Sequence, residues 1–232
     1  MDQDKFSIRA HETSGPARER VYSYVCEQIL RGYFTGGSFI EEEQISSAMD
    51  VSRTPVREAF HRLEAEKFID LLPRRGALVR QVTAQELADL YETRRVVEGY
   101  AIARICQERL PLPNQMAALL ERMRAIQDAP DHFEHVMLDQ SFHRTMVAAS
   151  GNAILAEVYD TLRSRQLRVA MTALSINPQR IHRILTEHSQ LLDALIAHDE
   201  HVAREVIGLH LRPVFDVVSR LPGFGVVSAN GM

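Results

Sequence analysis

The chain has no tryptophan and only two cysteines, Cys26 and Cys106, in 232 residues. They are too far apart for any metal-binding or redox spacing, which excludes a disulfide framework and leaves two small buried hydrophobes. No apolar run reaches the roughly eighteen residues of a membrane-spanning helix. The amino terminus, MDQDKFSIRAHETSG, also lacks the apolar stretch of a secretory signal. A cytoplasmic protein with no membrane partner is therefore expected. Glycine and proline are scarce, 11 and 9 in all, and sit where elements would end, which favours a mostly helical chain. Excess positive charge is missing as well: the net charge is −4, which on average argues against a nucleic-acid partner.

The distribution of charge reverses that argument. Between residues 53 and 80, seven cations (Arg53, Arg57, Arg62, Lys67, Arg74, Arg75 and Arg80) face four acids, directly after the acidic stretch Glu41 to Glu43. A local basic edge is what DNA binding requires. Around it, Val21, Tyr24, Val25 and Ile29 recur at helical spacing, and Ile45, Ala48 and Met49 mark a second short helix. Thr54 is placed as N-cap of a third helix with Pro55 at its first position. There Val56, Ala59, Phe60 and Leu63 form the inner stripe, so Arg57 and His61 share the opposite, exposed face. Apolar runs on either side of Pro73-Arg74-Arg75-Gly76 then read as a two-stranded hairpin. Three helices and a cationic-tipped hairpin make a winged helix-turn-helix, whose third helix enters the major groove with Arg53, Thr54 and Arg57 nearest the DNA.

From Thr83 onward the pattern is helical only. Breaks predict six helices, about 84–110, 114–128, 131–149, 152–174, 178–198 and 200–220. The organisation expected is a disordered segment 1–14, a winged helix-turn-helix domain 15–82, an all-helical domain 83–221 and a flexible tail 222–232. The fold class is mainly α.

The stretch VYSYVCEQIL to RRGALV, with VSRTPVREA followed by RRGA, resembles the amino-terminal domain of the GntR family of bacterial transcriptional regulators, and the helical remainder resembles the ligand domain of its FadR subgroup. The resemblance implies a homodimer on a palindromic double-stranded operator, most often a repressor, and no enzymatic activity. It also implies a small carboxylate effector in the second domain. Carried over, the DNA contacts are Arg53, Thr54 and Arg57 with Gly76 at the wing tip, beside Arg75. There are departures: Gly36-Gly37-Ser38 stands for Pro-Gly-Glu, Glu66-Lys67 for Glu-Gly, and His61 for a basic residue.

In the second domain, polar residues interrupt apolar stripes. Asp139 and His143 share one face with Val136, Phe142, Met146 and Val147; His188 continues the stripe of Ile181, Ile184, Leu185, Leu191, Leu192 and Leu195; His210 continues that of Ala203, Val206 and Ile207. If the last two helices form a hairpin at Asp199, His188 and His210 lie eleven residues on either side of the turn and meet. Three imidazoles and a carboxylate suit a divalent ion, zinc foremost, with nickel, manganese or iron also accommodated. His135, two helical turns before His143, cannot share that ion. Metal-binding FadR-type ligand domains resemble this set. Arg94, on the stripe of Leu87, Leu90, Tyr91 and Val97, matches the family's effector-binding arginine; an ion pair to Glu98 is the plainer role. Pro213 should kink the last helix. A regulator in which the ion itself is the signal is the alternative to the carboxylate.

Overall fold

The structure is a computed structural model that describes residues 15–227. Residues 1–14, and the part of the tail beyond 227, lie outside the described residues. The described chain divides between Gln81 and Val82 into two compact units.

The first unit contains α1 (Ala17–Leu30), β1 (Phe39–Ile40), α2 (Glu42–Met49), α3 (Arg53–Ala65), β2 (Ile69–Leu72) and β3 (Gly76–Val79). Asp50 ends α2 in the left-handed conformation (φ 51°) and turns the chain sharply into α3. The inner stripe of α3, Val56, Ala59, Phe60 and Leu63, is buried as expected. The cap is not where Thr54 put it. Ser52 precedes the helix, Arg53 is its first residue, and Pro55 falls at the third position, where a missing N–H is still without cost because the first four amides have no intrahelical acceptor. The wing is a three-stranded antiparallel sheet in the order β1-β3-β2, one strand more than the hairpin foreseen. Phe39 pairs with Leu78 and Ile40 with Ala77.

The second unit is all helical: α4 (Ala84–Gln107), α5 (Gln115–Ala125), α6 (Phe133–Ala149), α7 (Ala153–Asp160), α8 (Arg163–Ile176), α9 (Arg180–Ile196), α10 (Glu200–His210), α11 (Phe215–Val218) and α12 (Phe224–Val227). Three starts carry a side-chain cap: Thr83, Asn152 and Asp199 accept from the amides of Glu86, Leu155 and Val202. Where six helices were expected there are nine among the described residues. The segment 152–174 is broken after Asp160, where the Thr161 hydroxyl turns back to the carbonyl of Val158. The segment 200–220 does not kink at Pro213 but stops at His210, because proline can neither donate to the ladder nor clear the preceding turn. Part of the tail is ordered too: the Ala84 amide donates to the Pro222 carbonyl and the Phe224 ring meets Phe215 edge-on at 5.7 Å.

The turn between α9 and α10 falls where the sequence placed it. His198 adopts φ 55° and Asp199 caps α10, so the two helices run back along each other. In the core, Val97 and Ala101 of α4 pack with Val147 of α6 and Tyr159 of α7.

Candidate nucleic-acid interface and candidate metal centre

In the first unit, α2, α3 and the wing enclose an open groove of about 730 Å³ lined by Arg53, Arg57, His61, Arg75 and Gly76, together with Glu41, Glu42 and Glu43. Thr54 is exposed on the first turn of α3 but does not line the groove. Two of the arginines are held by acids of the preceding helix: Arg53 pairs with Glu43, and Arg57 Nε donates to Glu42 at 2.8 Å. All are solvated enough for such pairs to be weak and exchangeable. Gly76 has a reason that sequence alone did not disclose. Its φ is 85°, and a Cβ there would lie 2.8 Å from the Ile40 carbonyl oxygen, so the glycine is required by the strand packing of the wing.

In the second unit, Asp139 and His143 of α6, His188 of α9 and His210 of α10 converge, each offering one ligand atom within 4.8 Å of all the others. The imidazole centroids form a nearly equilateral triangle with sides of 4.9, 4.9 and 4.8 Å. Nε2 of His143 and Nε2 of His188 are 3.0 Å apart, and Asp139 Oδ1 is 3.3 Å from the latter. Ligands about 2.1 Å from a shared ion sit roughly 3.0 Å apart at a right angle and 4.2 Å apart across it, which is close to this span. Phe142 stacks on His188 at 4.7 Å and fixes its ring plane.

Two further carboxylates, on neighbouring helices, hold the outer edges of these rings. Glu187 Oε2 lies 3.0 Å from Nδ1 of His210, with its other oxygen taken by Arg183. Glu98 Oε2 lies 2.9 Å from Nδ1 of His143, against the outer edge of the ring, although the angle falls short of a strict hydrogen bond. A carboxylate at Nδ1 keeps the proton there and leaves Nε2 a lone pair. Two inward lone pairs and an acidic oxygen therefore crowd one point, with His188 the only imidazole free to donate. Such a concentration of acceptors in a buried site calls for a cation, and the residues present fit a divalent one.

Electrostatics favour neutral rings at His188 and His210. Burial, then His210 and His143, push His188 well below its ordinary value. Burial also lowers His210, against the opposing pull of Glu187. For Glu98 burial alone would raise the carboxyl, but Arg94 and His143 outweigh it and hold it well below the usual range.

Arg94 makes the plainer of the two contacts the sequence offered, the ion pair to Glu98. Its Nε donates to Glu98 at 2.6 Å, while Nη2 is buried without a partner among the described residues. It faces a cavity of about 40 Å³ that also borders Tyr91, His135, Asp139, Arg180 and His210. Sequence reading missed Glu98 and Glu187 as supports of the rings. The available signal was that each is an acid on an apolar helix face, Glu98 one turn after Arg94 and Glu187 one turn after Arg183.

Comparison with known proteins places these features. The family model for bacterial regulatory proteins of the gntR family matches residues 17–79, and that for the FCD domain matches residues 89–213. The chain is 30% identical to the Nta operon transcriptional regulator of Aminobacter aminovorans over 80% of its length and 87% of the relative's. It is 26% identical to the gluconate operon transcriptional repressor of Bacillus subtilis over 84% of its length and 82% of that protein's. Among solved structures, a transcriptional regulator GntR from Rhodococcus sp. RHA1 superposes with a TM-score of 0.71 at 25% identity, covering 84% of this chain and 93% of the other.

Proposed function

Since the chain belongs to the GntR family of transcriptional regulators, with an FCD ligand-binding domain of the FadR kind, we propose that it represses transcription from a palindromic operator until a small carboxylate binds at a metal ion in its second unit. Regulators of this family bind DNA and are not enzymes. The observation that carries the reading is the convergence of Asp139, His143, His188 and His210 with carboxylates behind two of the rings. Those four residues would hold the ion, zinc foremost, with nickel, manganese or iron as alternatives. The ion would supply Lewis acidity toward an acid's oxygen. Arg94, whose Nη2 has no partner among the described residues, borders the cavity that Asp139 and His210 also line and would grip that acid from the other side.

On the DNA, Arg53, Thr54, Arg57 and His61 would meet the major groove, and Arg75 and Gly76 of the wing the flanking backbone. Operation as a homodimer is supported by Val96 and Tyr100 of α4 and Ile154 and Val158 of α7, large apolar side chains exposed by 48% or more on two helices that pack together. Repression is supported by the relative named as the gluconate operon repressor. The acid alters DNA affinity by the difference in its own affinity for the two states.

A thermal-shift titration with mono-, di- and hydroxycarboxylates, run with zinc or nickel and again after chelation, tests the reading. Stabilisation by an acid only in the presence of metal is expected. Stabilisation by metal with no response to any acid would make the ion itself the signal, and no response to metal would defeat the proposal.

A further inference from the structure

His135 sits on α6 one turn before Asp139, is 1% exposed, and has neither ring nitrogen paired among the described residues. Burying both nitrogens of an imidazole without a partner is costly, so a polar group that is not part of the chain, water or ligand, is expected to reach it. The ring borders the same cavity as Arg94. So does Arg180, at the start of α9, which has no carboxylate within ion-pair distance among the described residues. Burial, only partly opposed by Asp139, lowers the imidazole's pKa, so it meets a ligand as a neutral donor.

Charge narrows the class of ligand. The count rests on the metal reading above. A divalent ion held by Asp139 and three neutral imidazoles leaves one positive charge at the centre; Arg94 is balanced by Glu98, and Arg180 contributes a second uncompensated one. A monocarboxylate would leave the buried His135 without a partner and the half-buried Arg180 without a counter-charge. We infer that the pocket takes a short dicarboxylate, with one carboxylate at the Asp139 and histidine cluster beside Arg94 and the second held by His135 and Arg180. The cavity of about 40 Å³ fits the scale, since each water needs roughly 10–15 Å³ by this measure and a three- or four-carbon diacid displaces only a few waters.

The test is isothermal titration of the zinc-treated full chain with malonate and succinate, against propionate and butyrate, with zinc content measured on the same samples. Diacids should bind at least about tenfold more tightly, since the second carboxylate gains charge-assisted bonds. Arg180→Gln, at a partly exposed position, should abolish that preference while zinc content and propionate affinity stay unchanged; His135→Ala should do the same. Zinc retained with no preference for diacids, or a preference that survives both substitutions, would overturn the inference and leave the metal reading standing. A diacid preference lost in Arg180→Gln but seen in protein that takes up no zinc would overturn the metal reading and uphold the second anchor. Failure of every acid to bind overturns the inference.

Discussion

Glu98 shows how much one buried side chain can be asked to do. It accepts from Arg94 Nε and from the Tyr159 hydroxyl, 2.6 and 2.8 Å away, and faces His143 with its other oxygen. Losing its charge should leave Arg94 uncompensated and His143 free to take the wrong tautomer. Glu98→Gln, and Glu187→Gln at His210, should each lower zinc affinity by about 10–100-fold, measured by competition with a chromogenic chelator. Arg94 could be singled out from its place on an apolar stripe, and its pairing with Glu98 from the four-residue spacing. The link from Glu98 to His143 could not, because it joins α4 to α6, which α5 separates in the chain, so no shared turn sets their register. On the DNA side, Arg57 is poised in the groove but tethered to Glu42. Arg57→Ala should reduce operator affinity by roughly 1–3 kcal/mol if the guanidinium reads a base, whereas a fluorescence-anisotropy titration showing unchanged affinity would remove it from the interface.

At the scale of elements, the helix-turn-helix was legible because its apolar stripes, its turn residues and its cationic face all obey the helical period. So was the meeting of His188 with His210, which needed only the turn at Asp199 and equal arm lengths. Element ends were less so. Pro213 read as a kink and proved to be a stop, since nothing beyond it restores the broken ladder. The extra strand Phe39–Ile40 is too short for alternation to reveal and exists only by pairing with β3. Lys67 marks a place where the chain departs from its family's glycine at some cost. It holds φ 66° at the exit of α3 and is exposed there. Left-handed backbone costs a residue with a Cβ about 1–2 kcal/mol, part of which glycine gives back as chain entropy. Lys67→Gly should therefore stabilise the protein by about 0.5–1 kcal/mol, read from the midpoint of urea unfolding.

For the whole molecule, the buried histidines tie stability to pH. His188 and His210 both titrate below their ordinary value in the folded state, chiefly through burial. A depressed folded value means that the unfolded chain takes up protons first. Stability should thus be full above about pH 6.5 and be lost as pH falls through that point toward the folded values. Denaturant midpoints of the metal-free protein measured between pH 8 and 5 should stay level and then decline; a rise on acidification would mean that the imidazoles are charged when folded. What the chain does as a whole depends on whether the histidine cluster governs the DNA groove. The most direct measurement is operator affinity by fluorescence anisotropy, on a palindrome selected from random-sequence DNA, with the acid that stabilises the protein added to zinc-loaded wild type, to chelated wild type and to His188→Ala. We expect the acid to shift affinity by about 5–150-fold in the zinc-loaded protein and to have no effect on the other two. An acid response that persists after chelation and in His188→Ala would contradict the account.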